Sequence, residues 1–336
     1  MDREEIMLRR LAGQHLLAPV DGLQAAGDLC GFQAQVVSNA LHALRLRSGS
    51  TDSAGLVKSW TLRGTMHIFP ERELSLFLHQ GRNHFLRPCD TMEADEKIGK
   101  ARKAYFAALA LDSVAEGAGE REQLRQRCRD AGMTETEEES LFNPWGGMLR
   151  ALCEEGKLCY KVQEKKEFML CPPFEAMEEK AARLALARRY FRNFGPATIK
   201  DGAYFFGTTQ AQVKAWLEQL PVHSTLCEGK TCFYLDEGPV CGSIPDCLFL
   251  AGFDQLMLGY QKTESLFLPP EHLRGIFSLS GMVMPALLLR GRVAGRWKRT
   301  GKKLLITAFE PISREDRERI AEKAEELWSG VKLEFP

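Results

Sequence analysis

Apolar residues recur at three- and four-residue spacing in some stretches and alternate with polar ones in others, and the switches between these periods divide the chain. Ile6, Met7, Leu8, Leu11, Leu16 and Leu17 stand among charges over residues 3–18, which predicts an amphipathic helix stopped by Pro19 and Asp21-Gly22. A short second helix is expected over 23–29. Val36, Val37, Ala40, Leu41, Leu44 and Leu46 predict a third, from Gln33 to Leu46, with one buried stripe. After the turn-forming stretch 48–55 the period shortens. Residues 56–62 and 66–69 read as two strands about Gly64, with Arg63 and His67 expected in strand.

The same order of helices and then a hairpin recurs twice. Helices predicted at 71–85, 95–111, 121–131 and 143–155 precede strands 158–162 and 168–170 around the charged tip Glu164-Lys165-Lys166. A helix at 176–193, one capped by Thr198 and one capped by Thr208 or Thr209 precede strands 222–226 and 231–235. Helices followed by a β-hairpin are the plan of a winged helix. Three of them form a repeat by element order, not by residue identity. Beyond Pro245, strands at 248–250, 284–289, 292–297 and 304–309, with Gly281 and Gly291 at turn positions, predict a small β-barrel or curled sheet. A charged helix at 314–328 closes it. The expected fold is mainly α with β: three tandem winged-helix motifs at 1–115, 116–175 and 176–245, followed by a small C-terminal β-barrel and final helix at 246–336.

Composition refines this picture only in places. A chain of 336 residues is long for one core and suggests two to four modules. Its 44% hydrophobic and 27% charged residues are ordinary for a globular protein. No apolar run reaches the ~18 residues of a membrane span, and the charged start Met1-Asp2-Arg3-Glu4-Glu5 does not resemble an export leader. A cytoplasmic protein without membrane contact is expected. The 10 cysteines include no Cys-x-x-Cys pair, so reduced thiols are expected, with no metal and no cofactor.

Charge speaks in two directions. Lys+Arg and Asp+Glu both number 45, a balance that argues mildly against a phosphate-binding protein. From Arg290 to Lys303, however, there are seven basic residues and no acidic one. Such segregation is compatible with one basic face, or with an ordinary solvated sheet edge.

Several motifs in order resemble the AlkZ/YcaQ-type DNA glycosylase family of winged-helix DNA-binding proteins, over nearly the whole chain. They are Gly31-Phe32-Gln33-Ala34-Gln35, Arg63-Gly64-Thr65-Met66-His67 and Phe194-Gly195-Pro196-Ala197-Thr198, then the run from Ala251 to Tyr260 and Arg290-Gly291-Arg292-Val293-Ala294-Gly295-Arg296-Trp297. The resemblance implies three winged helices with a C-terminal barrel. It implies an enzyme that excises alkylated or crosslinked bases from double-stranded DNA, located at the bacterial nucleoid. It also implies a Gln-Φ-Gln catalytic motif (Φ, a hydrophobic residue), which stands here as Gln33-Ala34-Gln35. Many relatives carry an arginine after the Phe-Asp…Gly-Tyr motif, whereas this chain has Gln261-Lys262-Thr263-Glu264.

Glutamine cannot serve as an ordinary general base, because its amide does not titrate near neutrality. Its oxygen accepts and its nitrogen donates, so a pair of them can orient a water. That chemistry suits a leaving group that needs no protonation, such as a cationic N7- or N3-alkylated purine. The other reading of Gln33 and Gln35 is a hydrogen-bonding pair at a helix start. Candidate DNA contacts are Arg63, His67, Lys262, Arg290, Arg292, Arg296, Lys298 and Arg299; Arg63 and His67 also have bland readings as strand residues, and Asp254 reads as a structural anchor. No lysine stands beside the glutamines to form a Schiff base. A monomeric, monofunctional glycosylase is expected. The alternatives are a non-catalytic winged-helix regulator and a protein-interaction module.

Overall fold

The computed structural model describes residues 1–79, 82–83, 98–143, 147–235 and 238–336. The expected helices 71–85 and 95–111 and the start of 143–155 fall partly outside the described residues. The chain forms two compact units, one comprising Met1–Gln33, Ser38–Asp52 and Ala187–Pro336, the other Ala34–Val37 and Ser53–Leu186.

In the first unit, helix Arg3–Gly13 begins at Asp2, whose carboxylate accepts from Glu5 N, and helix Gly22–Asp28 begins at Asp21, which accepts from Leu23 N and Gln24 N. Both use the short acidic side chain to satisfy open amides of a first turn. Thr198 caps Ile199–Phe206 in a reciprocal box with Asp201, and Thr209, the second of the two expected caps, starts Gln210–Leu217. Tyr190, Phe191, Phe194, Phe205, Phe206 and Tyr260 are buried together as an aromatic core. Strands His223–Cys227 and Lys230–Tyr234 pair antiparallel about Glu228-Gly229, both at positive φ.

The C-terminal sheet of this unit orders its strands as Cys247–Phe249, Ala286–Leu289, Arg292–Thr300, Lys303–Ala308 and Lys332–Glu334. The first four pair antiparallel; the last pairs parallel and was not legible in the pattern. A register shift between Leu287 and Leu288 leaves Ala294 outside the pairing and bends the sheet. A Cβ at Gly295 would lie 2.6 Å from Thr307 O, so the strand next to the bend needs a glycine. Helix Arg314–Leu327 buries Ile320, Ala324 and Leu327 against Phe249, Leu287, Leu304 and Ile306. The sheet is curled over this helix, as the alternating pattern anticipated.

Among the described residues of the second unit, two hairpins and several helices surround one core. Leu56–Trp60 pairs with Met66–Pro70, Leu158–Tyr160 with Phe168–Leu170, and a Lys58–Tyr160 pairing joins them into one sheet. Phe106, Leu124, Met148, Leu152, Leu158 and Phe168 are buried from helices Lys100–Ala115, Arg121–Asp130 and Gly147–Glu154 and from the second hairpin. Helix Glu135–Leu141 was not expected, because its acidic sequence shows almost no apolar stripe. Thr134 and Glu137 start it with a capping box. After Glu71 only Leu74–Phe77 forms an α-helix before the chain extends at Leu78–His79, shorter than the expected 71–85.

Candidate active site

The glutamine motif is placed by a sharp exit from helix Gly22–Asp28. Cys30 (φ 56°) and Gly31 (φ 82°) are both left-handed, and Gly31 N donates to Ala26 O at 2.7 Å. The turn delivers Phe32–Gln33 as extended chain, and the following helix begins only at Val37. The motif is therefore not the first turn of a helix, as the stripe over 33–46 predicted, but the extended segment ahead of one.

Gln33 is buried in the first unit, and Gln35 is half-buried in the second. Between them Ala34 N donates to Met66 O at 2.7 Å, fixing the Gln35 segment to the first hairpin. The side-chain oxygen of Gln35 is itself buried, with no hydrogen-bond partner among the described residues. A buried amide oxygen left unpaired costs about 1–3 kcal/mol, so its presence asks for a reason.

Two further buried polar atoms of the same hairpin share this condition. Ser59 and His67 stand directly opposite each other in the pairing, and Ser59 Oγ and His67 Nε2 lack partners among the described residues. His67 Nδ1 lies 3.2 Å from Thr65 O and 2.8 Å from Thr61 Oγ1. The carbonyl can only accept, so the proton is on Nδ1 and Nε2 presents a lone pair. Burial, followed by the positive charge of Arg63, pushes the imidazole pKa down to about 3. His67 is neutral at physiological pH and 1% exposed, which gives it no surface to offer a phosphate. The ring, expected to touch DNA, lies in the interior of the hairpin.

Arg63, unlike His67, is not in a strand. It occupies the tight turn Leu62–Gly64 at φ 58° and ψ 16°, half-buried. Non-glycine residues in this region carry strain that the surroundings must hold; here Thr61 N donates to Thr65 O at 2.9 Å across the turn. Lys58 is a buried lysine that the sequence did not single out, its pKa lowered to about 8 by burial and then by Lys166. It lies 5.2 Å from the Tyr160 ring. Strand alternation sends Lys58 to the face opposite Ser59, away from the unpartnered atoms.

The basic candidates in the first unit divide in two. Arg290 makes a bidentate pair with Asp316, at 2.6 and 3.1 Å, and Arg292 Nη2 lies 3.4 Å from Glu271 and 3.1 Å from Glu310. Glu271, His272 and Glu310 also place their ligand atoms within 4.8 Å of one another, and Arg292 contacts both carboxylates. Arg296, Lys298 and Arg299 are exposed on the strand Arg292–Thr300 and have no carboxylate partner among the described residues. Arg299 donates to Gly301 O at 2.7 Å and lies 5.5 Å from the Trp328 ring. Lys262 is half-buried, 5.9 Å from the Phe277 ring.

Asp254 is the support that holds one end of the motif. It is buried and paired with Arg47 at 2.8 and 3.1 Å, and it caps the helix Gln255–Leu258 through Leu256 N. The adjacent Gln255 donates through Nε2 to Gly31 O, two residues before Gln33.

No described helix is long and apolar enough to cross a membrane. The family described as DNA glycosylase AlkZ-like matches residues 26–329. The chain is 27% identical over 331 residues to an interstrand DNA cross-link repair glycosylase of Streptomyces sahachiroi, covering 89% of this chain and 86% of the relative. The solved structure of Streptomyces sahachiroi DNA glycosylase AlkZ superposes with a TM-score of 0.80 at 23% identity, over 99% of this chain and 98% of that one.

Proposed function

This chain belongs to the AlkZ-like DNA glycosylase family, and from that premise we propose that it hydrolyses the N-glycosidic bond of cationic N7- or N3-alkylated purines in duplex DNA. The buried oxygen of Gln35, without a partner among the described residues and in a half-exposed residue, is the observation that carries this reading. It is an acceptor held ready for a water hydrogen, and its position is set by the Ala34–Met66 hydrogen bond. Gln33 supplies the second amide of the motif. Ser59 Oγ and His67 Nε2 make the hairpin beside it polar.

The chemistry sets the substrate class. A water aligned by neutral amides attacks the anomeric carbon as the sugar gains oxocarbenium character, and the proton that the water gives up passes to bulk solvent. The carbon–nitrogen bond breaks with its electron pair passing to the base, which its existing positive charge accommodates. No proton need be donated to the leaving group, and a neutral base such as uracil would leave poorly. Bulky adducts and interstrand crosslinks through purine N7 or N3 are cationic in the same way, which agrees with the name of the Streptomyces relative. Lys58, over the Tyr160 ring on the strand face opposite Ser59, supports a monofunctional hydrolase without a Schiff-base step.

The three hairpins, each preceded by helices, support three tandem winged helices at 1–115, 116–175 and 176–245, with the curled sheet of 246–336 as a fourth module. Arg296, Lys298, Arg299 and Lys262 are the phosphate contacts in this reading, and one copy of the chain acts alone. Release of N7-methylguanine from duplex DNA, measured for wild type, Gln33→Ala and Gln35→Ala, tests it. A loss of roughly 100-fold or more for Gln35→Ala, with circular dichroism and DNA affinity retained, is expected of a group that aligns the reacting water. Undiminished release by a folded Gln35→Ala protein would sink the proposal.

A further inference from the structure

The open end of the second hairpin carries two thiols on one face. Cys159 stands opposite Met169 in the pairing, and Cys171 N donates to Lys157 O at 2.9 Å, which carries the pairing one residue beyond Leu170. Strand alternation sends Leu158, Tyr160 and Phe168 into the core of this unit and puts Cys159 and Cys171 together on the opposite face, as diagonal neighbours. Cys159 Sγ lies 4.0 Å from Leu170 O, the residue before Cys171. Pro172 and Pro173 have no N–H to continue the ladder, so the chain leaves the sheet there. Cys159 is fully buried, whereas Cys171 is half-exposed, and both are free thiols.

The two sulfurs interact. A hydrogen bond between them raises the pKa of Cys159, with burial adding to it, and lowers that of Cys171 against burial and the nearby Glu71. Cys159 is therefore the donor, and Cys171 is the thiol that more readily becomes a thiolate. Cys153, buried in the core, is a third sulfur in the neighbourhood. A metal site would need all three close together, but among the described residues only Glu271, His272 and Glu310 bring their ligand atoms within 4.8 Å of one another. The arrangement is a reactive thiol with one buried partner, not a metal triad.

We propose that Cys171 and Cys159 are a peroxide-responsive pair, in which Cys171 is oxidised first and Cys159 closes a reversible disulfide across the end of the hairpin. The Cys171 thiolate attacks one oxygen of a hydroperoxide; the O–O bond breaks, the leaving oxygen takes up a proton, and Cys171 becomes a sulfenic acid. The Cys159 sulfur then attacks the Cys171 sulfur, the S–O bond breaks, and hydroxide leaves with the Cys159 proton as water. Two electrons pass from the sulfurs to the peroxide, and two equivalents of a small thiol reverse the change. Diagonal strand positions lie about 7–8 Å apart, just beyond the ~7 Å limit for bridging without backbone movement. The bond is therefore strained, which favours its reduction. It lies in the sheet that also holds Ser59 and His67, joined through the Lys58–Tyr160 pairing, but uses no group of the glycosylase reading. The two readings can fail separately.

Reduced protein is treated with a small excess of hydrogen peroxide, blocked with iodoacetamide, and its monomeric fraction digested with trypsin. Cleavage after Arg150, Lys157, Lys161, Lys166 and Lys180 places Cys153, Cys159 and Cys171 in separate peptides. Wild type should give the Cys159 and Cys171 peptides linked, lighter by two hydrogens than their sum, and dithiothreitol should separate them. In Cys171→Ser, peroxide should consume the Cys159 thiol roughly tenfold more slowly. In Cys159→Ser, Cys171 should stop at the sulfenic acid, which dimedone traps. Melting temperatures check that both variants fold, and the wild-type link tests the proposal by itself if either does not. Linkage of Cys171 to Cys153 instead, or Cys171 oxidised past the sulfenic acid with Cys159 still reduced, overturns it. So does a Cys171 left unmodified while the exposed Cys241 is oxidised.

Discussion

A glutamine oxygen and a histidine nitrogen, both buried and without partners among the described residues, define the candidate site more sharply than any charge does. The glutamine pair was legible, since spacing of two in an extended chain needs only the sequence. Ser59 was not: it becomes significant only through its pairing with His67, and register is a property of the folded hairpin. Arg63 was placed in a strand because its neighbours alternate, yet its left-handed φ of 58° turns the chain there. The buried imidazole yields a stability prediction. Burial, with Arg63 second, holds the folded pKa of His67 at about 3, below the 6.5 of an exposed ring. Between those values the unfolded chain binds a proton that the folded chain does not. This contribution is therefore fully present above the unfolded pKa and is lost as pH falls toward 3. By pH 5 the loss is on the order of 2 kcal/mol. Urea unfolding at pH 7 and at pH 5 should show His67→Gln losing less stability than wild type over that interval by about this amount. Equal losses would show that His67 titrates normally in the folded protein.

At the scale of elements, the hairpins and the curled sheet were the most legible part of the fold, because alternating apolar residues and glycine turns mark them directly. The glutamine segment was misassigned to a helix because Val36 and Val37 continue the stripe of the helix behind it. The pair that supports this segment was half legible: Asp254 reads as an anchor, but nothing in the sequence couples it to Arg47, 207 residues away. Both side chains are 0% exposed, and Arg47 also donates to Gln14 O and Ala43 O. Removing one member leaves a buried charge without its counterion, which costs about 3–5 kcal/mol. Asp254→Asn keeps the cap on Leu256 N, so its effect reports the ion pair and not the helix start. Its denaturant midpoint should fall accordingly, and adding Arg47→Met should recover part of the loss, since no stranded guanidinium remains. A single variant as stable as wild type would mean that the pair contributes nothing to this unit.

For the whole molecule, a formal charge of zero means that any affinity for DNA is carried by a local surface and not by the average field. The structure divides the basic stretch in a way its composition conceals. Arg290 and Arg292 are already matched by Asp316, Glu271 and Glu310, whereas Arg296, Lys298, Arg299 and Lys262 face no carboxylate among the described residues. Only a cation that displaces counterions from phosphate adds to the salt dependence of binding, at a slope near −0.9 per contact in a plot of log affinity against log salt. Four such contacts give a slope of about −4. Replacing Arg296 and Lys298 together by glutamine should bring it to about −2, with affinity falling alike for damaged and undamaged duplex, because phosphate contacts carry no sequence information. Arg290→Gln should leave the slope nearly where it was, since its charge is already neutralised within the protein. A slope unmoved by the double substitution, or moved as far by Arg290→Gln, would place the DNA surface elsewhere on the chain.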